Sequence, residues 1–345
     1  MTLDAVPGSM TVGIDTHKDT HHAAVLGPAG QLIATSSFPT TGPGYAALLL
    51  WASGLGPIGK VGMEGTASYG AGLARYLTGH GMAVFEVPPG DKALRRLRGK
   101  TDASDAEAAA RRVLADPQPA IPKTTDGTFA VLRQLYVARK LLVKMQTELS
   151  NQIGQLLITG PDDIRARYST GTTLARMRQL VSTTPEITDP VERLMIDLLR
   201  DLATRWLDLR TRTRQLHDQI HELVTLHAPA LLSRCGVGAI TAAALLTAVG
   251  GNGNRIRSEA ALAMLFGAAP IPVQSGTTNR HRISHGGNRD ANCALHQIAI
   301  ARLGHDPRSQ TYRDTHLAHG KTKKDVIRLI KRALCRELFP LLCPH

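Results

Sequence analysis

The chain has 345 residues, 43% of them hydrophobic, and a formal net charge of +13. This length suits two or three folded domains, and the composition excludes a largely disordered protein. No apolar run reaches the roughly 18 residues that a membrane span requires, so we expect none. Residues 1–10 lack a basic start and an apolar stretch, so we expect no secretory signal.

The positive charge is concentrated toward the C-terminus. Residues 1–120 hold ten Lys/Arg and ten Asp/Glu, residues 121–228 hold fifteen and twelve, and residues 229–345 hold sixteen and six. A local surplus of +10 in the last segment attracts polyanions, of which nucleic acid is the commonest. General solubility is the alternative, and we favour nucleic acid.

The four cysteines form no CxxC pair; they are Cys235, Cys293, Cys335 and Cys343. This spacing argues against a zinc finger and against a disulfide scaffold. It fits a reducing cytoplasm.

The first 120 residues alternate strand-like and helix-like segments. The predicted strands are Met10–Ile14, His22–Leu26, Gln31–Phe38, Lys60–Met63 and Met82–Val87. The predicted helices are Tyr45–Ser53, Tyr69–Gly79 and Asp102–Leu114. Three consecutive strands followed by strand–helix alternation predict an α/β domain, a mixed sheet with helices packed on it.

Residues 121–228 carry apolar residues at heptad spacing. One set is Leu135, Leu142, Leu149 and Leu156; a second is Met195, Leu202, Leu209, Leu216 and Leu223; a third is Leu199, Trp206, Thr213 and Ile220. This repeat predicts long coiled-coil helices, arranged as an antiparallel hairpin, as an intersubunit coil, or as both. An ordinary helical core is the alternative, and the length of the repeat favours the coil.

Residues 229–345 are predicted to be mainly α-helical. Gly236-Val237-Gly238 precedes an apolar helix over Ala242–Val249, as in a helix-hairpin-helix element, whose glycines would expose N–H groups to a phosphate. A tight helix–helix turn is an equal alternative. The tail over Lys321–Leu338 predicts a basic amphipathic helix.

Four acidic residues stand at the ends or starts of predicted elements: Asp15, Glu64, Asp102 and Asp105. Strand ends and a nearby helix converge at one rim of a mixed sheet, where four carboxylates repel one another unless cations neutralise them. Two Mg²⁺ ions about 4 Å apart would do so and would serve phosphoryl transfer. Alternatively, Asp102 and Asp105 favour a helix N-terminus through its dipole, and Asp15 caps a turn.

Three histidines lie near the first of these acids: His17, His21 and His22. Mg²⁺ prefers oxygen ligands. We therefore interpret the histidines as surface or strand residues rather than metal ligands.

Short motifs follow one another in a characteristic order. In the first third they are Gly13-Ile14-Asp15-Thr16-His17-Lys18, Met63-Glu64-Gly65-Thr66 and Lys100-Thr101-Asp102-Ala103-Ser104-Asp105-Ala106. In the last third they are Gly236-Val237-Gly238 with Thr241-Ala242, Gly267-Ala268-Ala269-Pro270, Gln274-Ser275-Gly276, and Ile283-Ser284 with Gly287-Asn288-Arg289. Together they resemble the IS110 family of transposases, including its IS1111-like branch, over nearly the whole chain.

The resemblance implies three domains. Residues 1–120 would form a RuvC-like (RNase H-like) domain with an Asp-Glu-Asp-Asp tetrad, residues 121–228 a coiled-coil domain, and residues 229–345 the C-terminal transposase domain. The tetrad maps onto the four acids above, and a nucleophilic serine maps onto Ser275, with Ser284 as the alternative.

The resemblance also implies a mechanism. Ser275 would attack a DNA phosphate and form a covalent phosphoserine, activated by carboxylate-bound Mg²⁺. The partners implied are donor and target DNA, a structured bridge RNA that guides some members, and further copies of the chain in a dimer or tetramer. In such an oligomer the coiled coil brings Ser275 of one protomer to the tetrad of another.

Residues expected to contact nucleic acid cluster in the last third: Gly236, Gly238, Arg280, Arg282, Arg289, Lys321, Lys323 and Lys324. Such an enzyme is expected at the nucleoid in a bacterial cytoplasm. Two rival hypotheses remain: a RuvC-like nuclease or junction resolvase that hydrolyses DNA with water, and a non-catalytic nucleic-acid-binding scaffold. The first would not need Ser275, and the second would need neither Asp15 nor Glu64.

Overall fold

The computed structural model describes residues 8–88, 101–124, 127–182, 189–276, 278–284 and 286–344. The chain divides into two compact units, Met1–Thr125 and Asp126–His345. The domain boundary predicted at residue 120 lies near this division. The boundary predicted at residue 228 lies inside the second unit, where residues from both sides of it share one hydrophobic core.

The first unit is built on a five-stranded mixed sheet in the order β3-β2-β1-β4-β5. Its strands are β1 (Met10–Thr16), β2 (Thr20–Leu26), β3 (Leu32–Pro39), β4 (Ile58–Met63) and β5 (Val84–Glu86). The first three form an antiparallel meander, and β4 and β5 run parallel to β1. The mixed α/β architecture predicted from the sequence is therefore confirmed.

Helices cover both faces of this sheet: α1 (Gly42–Gly54), α2 (Ala71–Gly79) and α3 (Asp102–Ala115). The face of Val12 and Ile14 packs with Leu48 of α1 and Leu73 of α2. The opposite face receives α3, which comes so close to β1 that a Cβ on Gly13 would overlap its backbone. Side chains alternate along a strand, so the β1 residues on the face of Gly13 are directed toward α3.

The second unit is mainly helical, as predicted. Its helices are α4 (Gly127–Thr159), α5 (Asp162–Tyr168), α6 (Thr173–Ser182), α7 (Pro190–His227), α8 (Pro229–Leu232), α9 (Ala239–Val249), α10 (Glu259–Leu265), α11 (Arg289–His305), α12 (Pro307–Ala318) and α13 (Lys323–Leu342). The basic tail helix begins at a capping box between Thr322 and Asp325. Nowhere in the described ranges is a helix both long and apolar enough to cross a membrane.

The two long helices α4 and α7 pack along each other in opposite directions. Ile153, near the end of α4, shares a cluster with Leu199 of α7, whereas Leu132, near its start, shares another with Ile220. Because the ends pair crosswise, the two helices form an antiparallel hairpin within one chain. Of the arrangements predicted from the heptads, this one is observed.

The centre of the seam is not the leucine set of α7. The buried heptad positions are Leu199, Trp206, Thr213 and Ile220, flanked by buried Ile196, Ala203 and Val224. The partly exposed positions are Met195, Leu202, Leu209, Leu216 and Leu223. The third predicted set therefore lies at the interface, and the leucines border it.

Gly154 of α4 offers a simple test of this hairpin. A Cβ there would meet nothing within 4 Å. Gly154→Ala should raise the free energy of unfolding by about 0.5–1 kcal/mol, because alanine restricts the unfolded chain at no steric cost. Urea unfolding followed by Trp206 fluorescence, in a Trp51→Phe background, measures the second unit alone. A lower free energy of unfolding in Gly154→Ala would contradict the open space around residue 154.

A two-stranded sheet interrupts the helices of the second unit. Strands β6 (Pro270–Ser275) and β7 (Thr278–Ile283) pair antiparallel, from Pro270 opposite Ile283 to Ser275 opposite Thr278. No strand was predicted in this part of the chain. The sequence feature that indicates this hairpin is Gly276, which lies between two extended runs and has a φ of 55° at the turn.

Candidate active site

Asp15 lies near the end of the central strand β1. It is two residues beyond Gly13, on the face that receives α3, and is only 7% exposed. Its neighbour across the antiparallel pair is His22 of β2. The carboxylate is therefore held between the sheet and the helix rather than at a free turn.

Glu64 follows β4 directly and lies beside the same end of β1. Its N–H donates to the carbonyl oxygen of Ile14 at 3.3 Å, and its carbonyl oxygen accepts from the Thr16 hydroxyl at 3.0 Å. Because β1 and β4 are parallel, their C-terminal ends meet at one edge of the sheet. Asp15 and Glu64 therefore stand at the ends of neighbouring parallel strands, as predicted, and a metal site that they share stays a prediction.

The remaining two acids belong to the first turn of α3. Thr101 caps this helix, because its hydroxyl accepts from the N–H of Ser104 at 3.2 Å and the Ser104 hydroxyl lies 3.3 Å from the Thr101 N–H. Asp105 is 5% exposed, whereas the Asp102 side chain is 43% exposed. The helix N-terminus favours both carboxylates through its partial positive charge.

His17 brings two of the carboxylates together. Its Nε2 lies 3.0 Å from Asp15 Oδ2 and 3.4 Å from Asp102 Oδ1. Within the described part of the chain, these three residues are the one group of acidic, histidine or cysteine side chains with ligand atoms mutually within 4.8 Å. Glu64 and Asp105 lie outside that group.

The three histidines differ in position. His22 Nε2 lies 3.2 Å from Asp102 Oδ2, and His21 is fully buried on β2, with its ring stacked 5.8 Å from that of Tyr45. Burial lowers the pKa of His21, and nearby His17 lowers it further, so His21 stays neutral near pH 7. His21 and His22 are strand residues, as predicted. His17, in contrast, lies in the β1–β2 turn among the carboxylates.

Glu64 has a basic neighbour that the sequence analysis did not identify. Arg112 Nη1 lies 3.3 Å from Glu64 Oε1 and donates to the Pro88 carbonyl at 2.5 Å. Asp102, Asp105 and Arg112 follow one another at three and seven residues, so they share one face of α3. That helical spacing was the available signal. The guanidinium neutralises part of the acidic charge at the sheet edge.

These donors fit a divalent cation. The set consists of hard carboxylate oxygens and one imidazole nitrogen, and both suit divalent metals. The carboxylates of Asp15 and Asp102 both lie close to His17 Nε2. Glu64 stands at the same edge of the sheet as Asp15, and Asp105 belongs to the same helix turn as Asp102. Like charges at such spacing are stabilised by a shared cation.

Ser275 is carried by the second unit at the tip of the β6–β7 hairpin. It is exposed and precedes the turn at Gly276, whose open surroundings leave space around the serine. Ser284, the alternative nucleophile, lies at the other end of the hairpin, where its carbonyl is close to Gly267. The two serines thus occupy the tip and the base of one arm.

The base of this hairpin is tightly fixed. A Cβ on Gly287 would overlap the backbone of Gly267, so the two ends of the arm touch through glycine. The Asn292 side-chain amide donates to the carbonyls of Phe266 and Gly267 at 2.8 and 3.0 Å, and its oxygen accepts from Lys331 at 2.5 Å. Burial lowers the pKa of Lys331. Asn292 was not predicted as a site residue.

The Gly236-Val237-Gly238 segment lies between the four-residue α8 and α9. Gly236 has a φ of 78°, and a Cβ there would lie 3.0 Å from the Ile298 carbonyl oxygen. Gly238 precedes α9, and its N–H lies 3.0 Å from the Thr241 hydroxyl. The close approach to α11 gives Gly236 a packing role. Phosphate binding by this segment stays a prediction.

The predicted basic contacts are exposed at several places in the second unit. Exposed residues are Arg282 on β7, Arg289 at the start of α11, and Lys321, Lys323 and Lys324 around the start of α13. The pairing register places Ser275 and Arg282 on the same face of the hairpin. The Arg280 side chain lies outside the described part of the chain.

Comparison with protein families gives two matches that together follow the order of the sequence motifs. The family model of IS110 DEDD transposases, described as "Transposase", matches residues 12–159. A second, described as "Transposase IS116/IS110/IS902 family", matches residues 228–314. The first match contains all four acids, and the second contains the serine hairpin.

Two proteins of insertion elements are similar to the chain. The 43.6 kDa protein of insertion element IS110 from Streptomyces coelicolor is 30% identical over 382 aligned positions, covering 96% of this chain and 93% of that protein. The 42 kDa protein of insertion element IS900 from Mycobacterium paratuberculosis is 28% identical over 159 positions, covering 45% of this chain and 40% of that protein. The first similarity is nearly end to end.

Proposed function

Because the chain belongs to the IS110 family of DNA transposases, we propose that it cuts and exchanges DNA strands through a covalent phosphoserine at Ser275. The acids that would assist are Asp15, Glu64, Asp102 and Asp105. The observation that carries the proposal is the convergence of Asp15 and Asp102 on one nitrogen at the sheet edge. An acid from β1 and an acid from α3 meet there, where phosphoryl transfer needs negative charge to be held around cations.

The sheet supports a RuvC-like assignment for the first unit. A three-stranded meander leads into two parallel strands, and the acids stand at the shared end of β1 and β4. The helix that follows contributes the other two acids from its first turn. We propose that residues 1–120 form the catalytic domain, residues 121–228 the coiled-coil domain and residues 229–345 the serine-bearing domain.

Divalent ions, Mg²⁺ in the first instance, would supply a charge-stabilising and hydroxyl-activating environment when bound by the four acids. The protein's own part is to orient those acids: β1 and β4 fix Asp15 and Glu64, and the Thr101 cap fixes the start of α3. Arg112 limits the net negative charge beside Glu64. Such an arrangement can admit a phosphodiester, which the acids alone would repel.

The serine step conserves the phosphoester. Ser275 Oγ forms a bond to phosphorus and loses its proton, while the bond from phosphorus to one DNA oxygen breaks and that oxygen takes up a proton. The reverse attack by a DNA hydroxyl restores the serine and joins strands with no external energy source. The exposed tip position of Ser275, on a hairpin with a fixed base, suits contact with DNA backbone.

We further propose a structured guide RNA and a homodimer or homotetramer as partners. The excess of basic over acidic residues in 229–345 provides charge for both nucleic acids, and we propose the exposed Arg282, Lys321, Lys323 and Lys324 as phosphate contacts. With DNA as substrate, the enzyme would act at the bacterial nucleoid in the cytoplasm.

The proposal is tested by trapping the protein–DNA adduct. Purified protein is incubated with DNA carrying the element's ends, Mg²⁺ and RNA transcribed from the element's flank, then denatured in SDS. We expect an adduct with wild type and with Ser284→Ala, and none with Ser275→Ala. EDTA added before the DNA should prevent its formation, and omission of RNA should reduce it to background.

Each alternative gives a different result. An adduct that persists in Ser275→Ala contradicts the serine assignment. Cleaved DNA with free ends and no adduct in wild type indicates hydrolysis by water, as in a junction resolvase. An adduct that forms equally well without RNA contradicts the guide.

A further inference from the structure

We infer that His17 is a metal ligand, and that one ion position at this edge is a mixed nitrogen–oxygen site formed by Asp15, His17 and Asp102. Its ligand class would be a divalent transition ion of the Mn²⁺ type rather than Mg²⁺ alone. The inference rests on the proposed function for the presence of a cation at the four acids. It adds a protein nitrogen to the ligand set and changes the expected metal preference.

The distances carry the inference. His17 Nε2 lies 3.0 Å from Asp15 Oδ2 and 3.4 Å from Asp102 Oδ1. Ligands about 2.1 Å from one ion lie about 3.0 Å apart at right angles and about 3.4 Å apart in a tetrahedron. The observed hydrogen-bond and ion-pair separations thus match those of atoms that share one ion, which could replace the proton between them with small side-chain adjustments.

The backbone that carries the His17 imidazole is held in place by the β1–β2 turn. The backbone N–H of His17 donates to the Thr20 carbonyl at 3.1 Å, and the backbone carbonyl of His17 accepts from the Thr40 hydroxyl at 3.4 Å. The side chain is 40% exposed and stands at the end of the strand that carries Asp15. Because the backbone at His17 is already fixed, binding of an ion orders only the side chain.

A second histidine orients the more exposed carboxylate. His22 Nε2 lies 3.2 Å from Asp102 Oδ2, which leaves Asp102 Oδ1 toward His17. The His17 and His22 rings meet edge to face with centroids 6.0 Å apart. Carboxylate ligands are commonly fixed by such an outer hydrogen bond. We therefore assign His22 as a positioning residue rather than a ligand.

The chemistry of the donors selects the ion. Mg²⁺ takes oxygen ligands and keeps several waters, whereas imidazole suits transition ions such as Fe²⁺ and Zn²⁺. Mn²⁺ suits carboxylates as Mg²⁺ does and, as a transition ion, accepts a nitrogen ligand more readily, so it matches the mixed set. One nitrogen among carboxylates does not exclude Mg²⁺, but it raises the affinity for transition ions over Mg²⁺. The mixed donor set thus predicts a metal preference that four acids alone would not produce.

The test measures Mn²⁺ binding to the purified full-length protein without DNA. Free Mn²⁺ is counted by electron paramagnetic resonance, and pulsed measurements detect imidazole ¹⁴N bound to the ion. We expect ¹⁴N coupling in wild type, and its loss together with a roughly 100-fold lower Mn²⁺ affinity in His17→Ala. His17→Gln, which offers an oxygen, should lose the ¹⁴N coupling but recover part of the affinity.

Two controls complete the design. His22→Ala should keep the ¹⁴N coupling and lower Mn²⁺ affinity about tenfold, as expected for an outer residue. His80→Ala should change neither, because His80 hydrogen-bonds the Tyr76 carbonyl on α2 and takes no part in the cluster. Mg²⁺ affinity, measured by competition, should fall less in His17→Ala than Mn²⁺ affinity.

The outcomes separate this inference from the proposed function. Retained ¹⁴N coupling or unchanged Mn²⁺ affinity in His17→Ala overturns the ligand role of His17 and leaves the adduct chemistry intact. Normal ¹⁴N-coupled Mn²⁺ binding in a protein that forms no DNA adduct overturns the proposed function alone. Wild type that binds no Mn²⁺ contradicts both.

Discussion

Asp105→Asn should reduce strand cleavage on the order of 10³-fold or more, about 4 kcal/mol of transition-state stabilisation, while the protein stays folded. Asp105 is 5% exposed in the first turn of α3, three residues after Asp102. An amide has nearly the same shape but cannot bring a negative charge to a cation. The rate of adduct formation in a single turnover, at saturating metal, measures the loss.

The stability cost of this change is too small to explain such a loss. A carboxylate at a helix N-terminus stabilises by about 0.3–1 kcal/mol, so its replacement leaves α3 in place. Glu107→Gln on the same helix is the matched control, because Glu107 pairs with Arg111 through Oε1 at 2.8 Å and lies off the face of Asp105. Equal losses in both variants would contradict a specific role for Asp105.

The placement of the four acids was predictable because it depends on strand ends. Residues that follow parallel strands meet at one edge of the sheet, so a short apolar run ending in Asp15 and another ending in Glu64 were sufficient to predict that both residues stand at that edge. The start of α3 was equally readable, since Thr101 and Ser104 form a recognisable cap. Strand ends and helix caps are local sequence patterns, so the position of the residues beside them can be predicted without knowledge of the tertiary packing.

The participation of His17 and Arg112 was not predictable in the same way. His17 reaches Asp102 across 85 positions of sequence, and that contact exists only after α3 has packed on β1. Arg112 reaches Glu64 through the same packing. The preference of Mg²⁺ for oxygen ligands does not indicate a histidine, whereas the fold places His17 beside the carboxylates.

The coiled coil shows a further limit. Several apolar sets at heptad spacing coexist on α7, and spacing alone does not say which set faces α4. The buried set contains Thr213, a residue that a hydrophobicity pattern ranks low, and the leucine set lies at the border. Partner geometry decides the interface, so the sequence predicts long coiled-coil helices but neither their pairing as a hairpin nor their register.

Gly13→Ala should lower the free energy of unfolding of the first unit by about 3 kcal/mol and should also impair cleavage. A Cβ at Gly13 would overlap the carbonyl oxygen of Ala106 and the amide nitrogen of Ala110, both of them backbone atoms of α3. Backbone in a helix cannot move aside like a flexible side chain, so α3 must shift away from β1. Asp102 and Asp105 would then leave Asp15.

The chain has two tryptophans, which separate the units in this measurement. Trp51 packs against Phe38 in the first unit, so urea unfolding in a Trp206→Phe background follows that unit alone. Gly79→Ala at the end of α2 is the control, because a Cβ there meets nothing within 4 Å, and its stability should be unchanged or slightly higher. Since Gly13 sets the distance between β1 and α3, Gly13→Ala should also weaken Mn²⁺ binding. Unchanged stability together with unchanged Mn²⁺ binding would show that α3 does not need the close approach to Gly13.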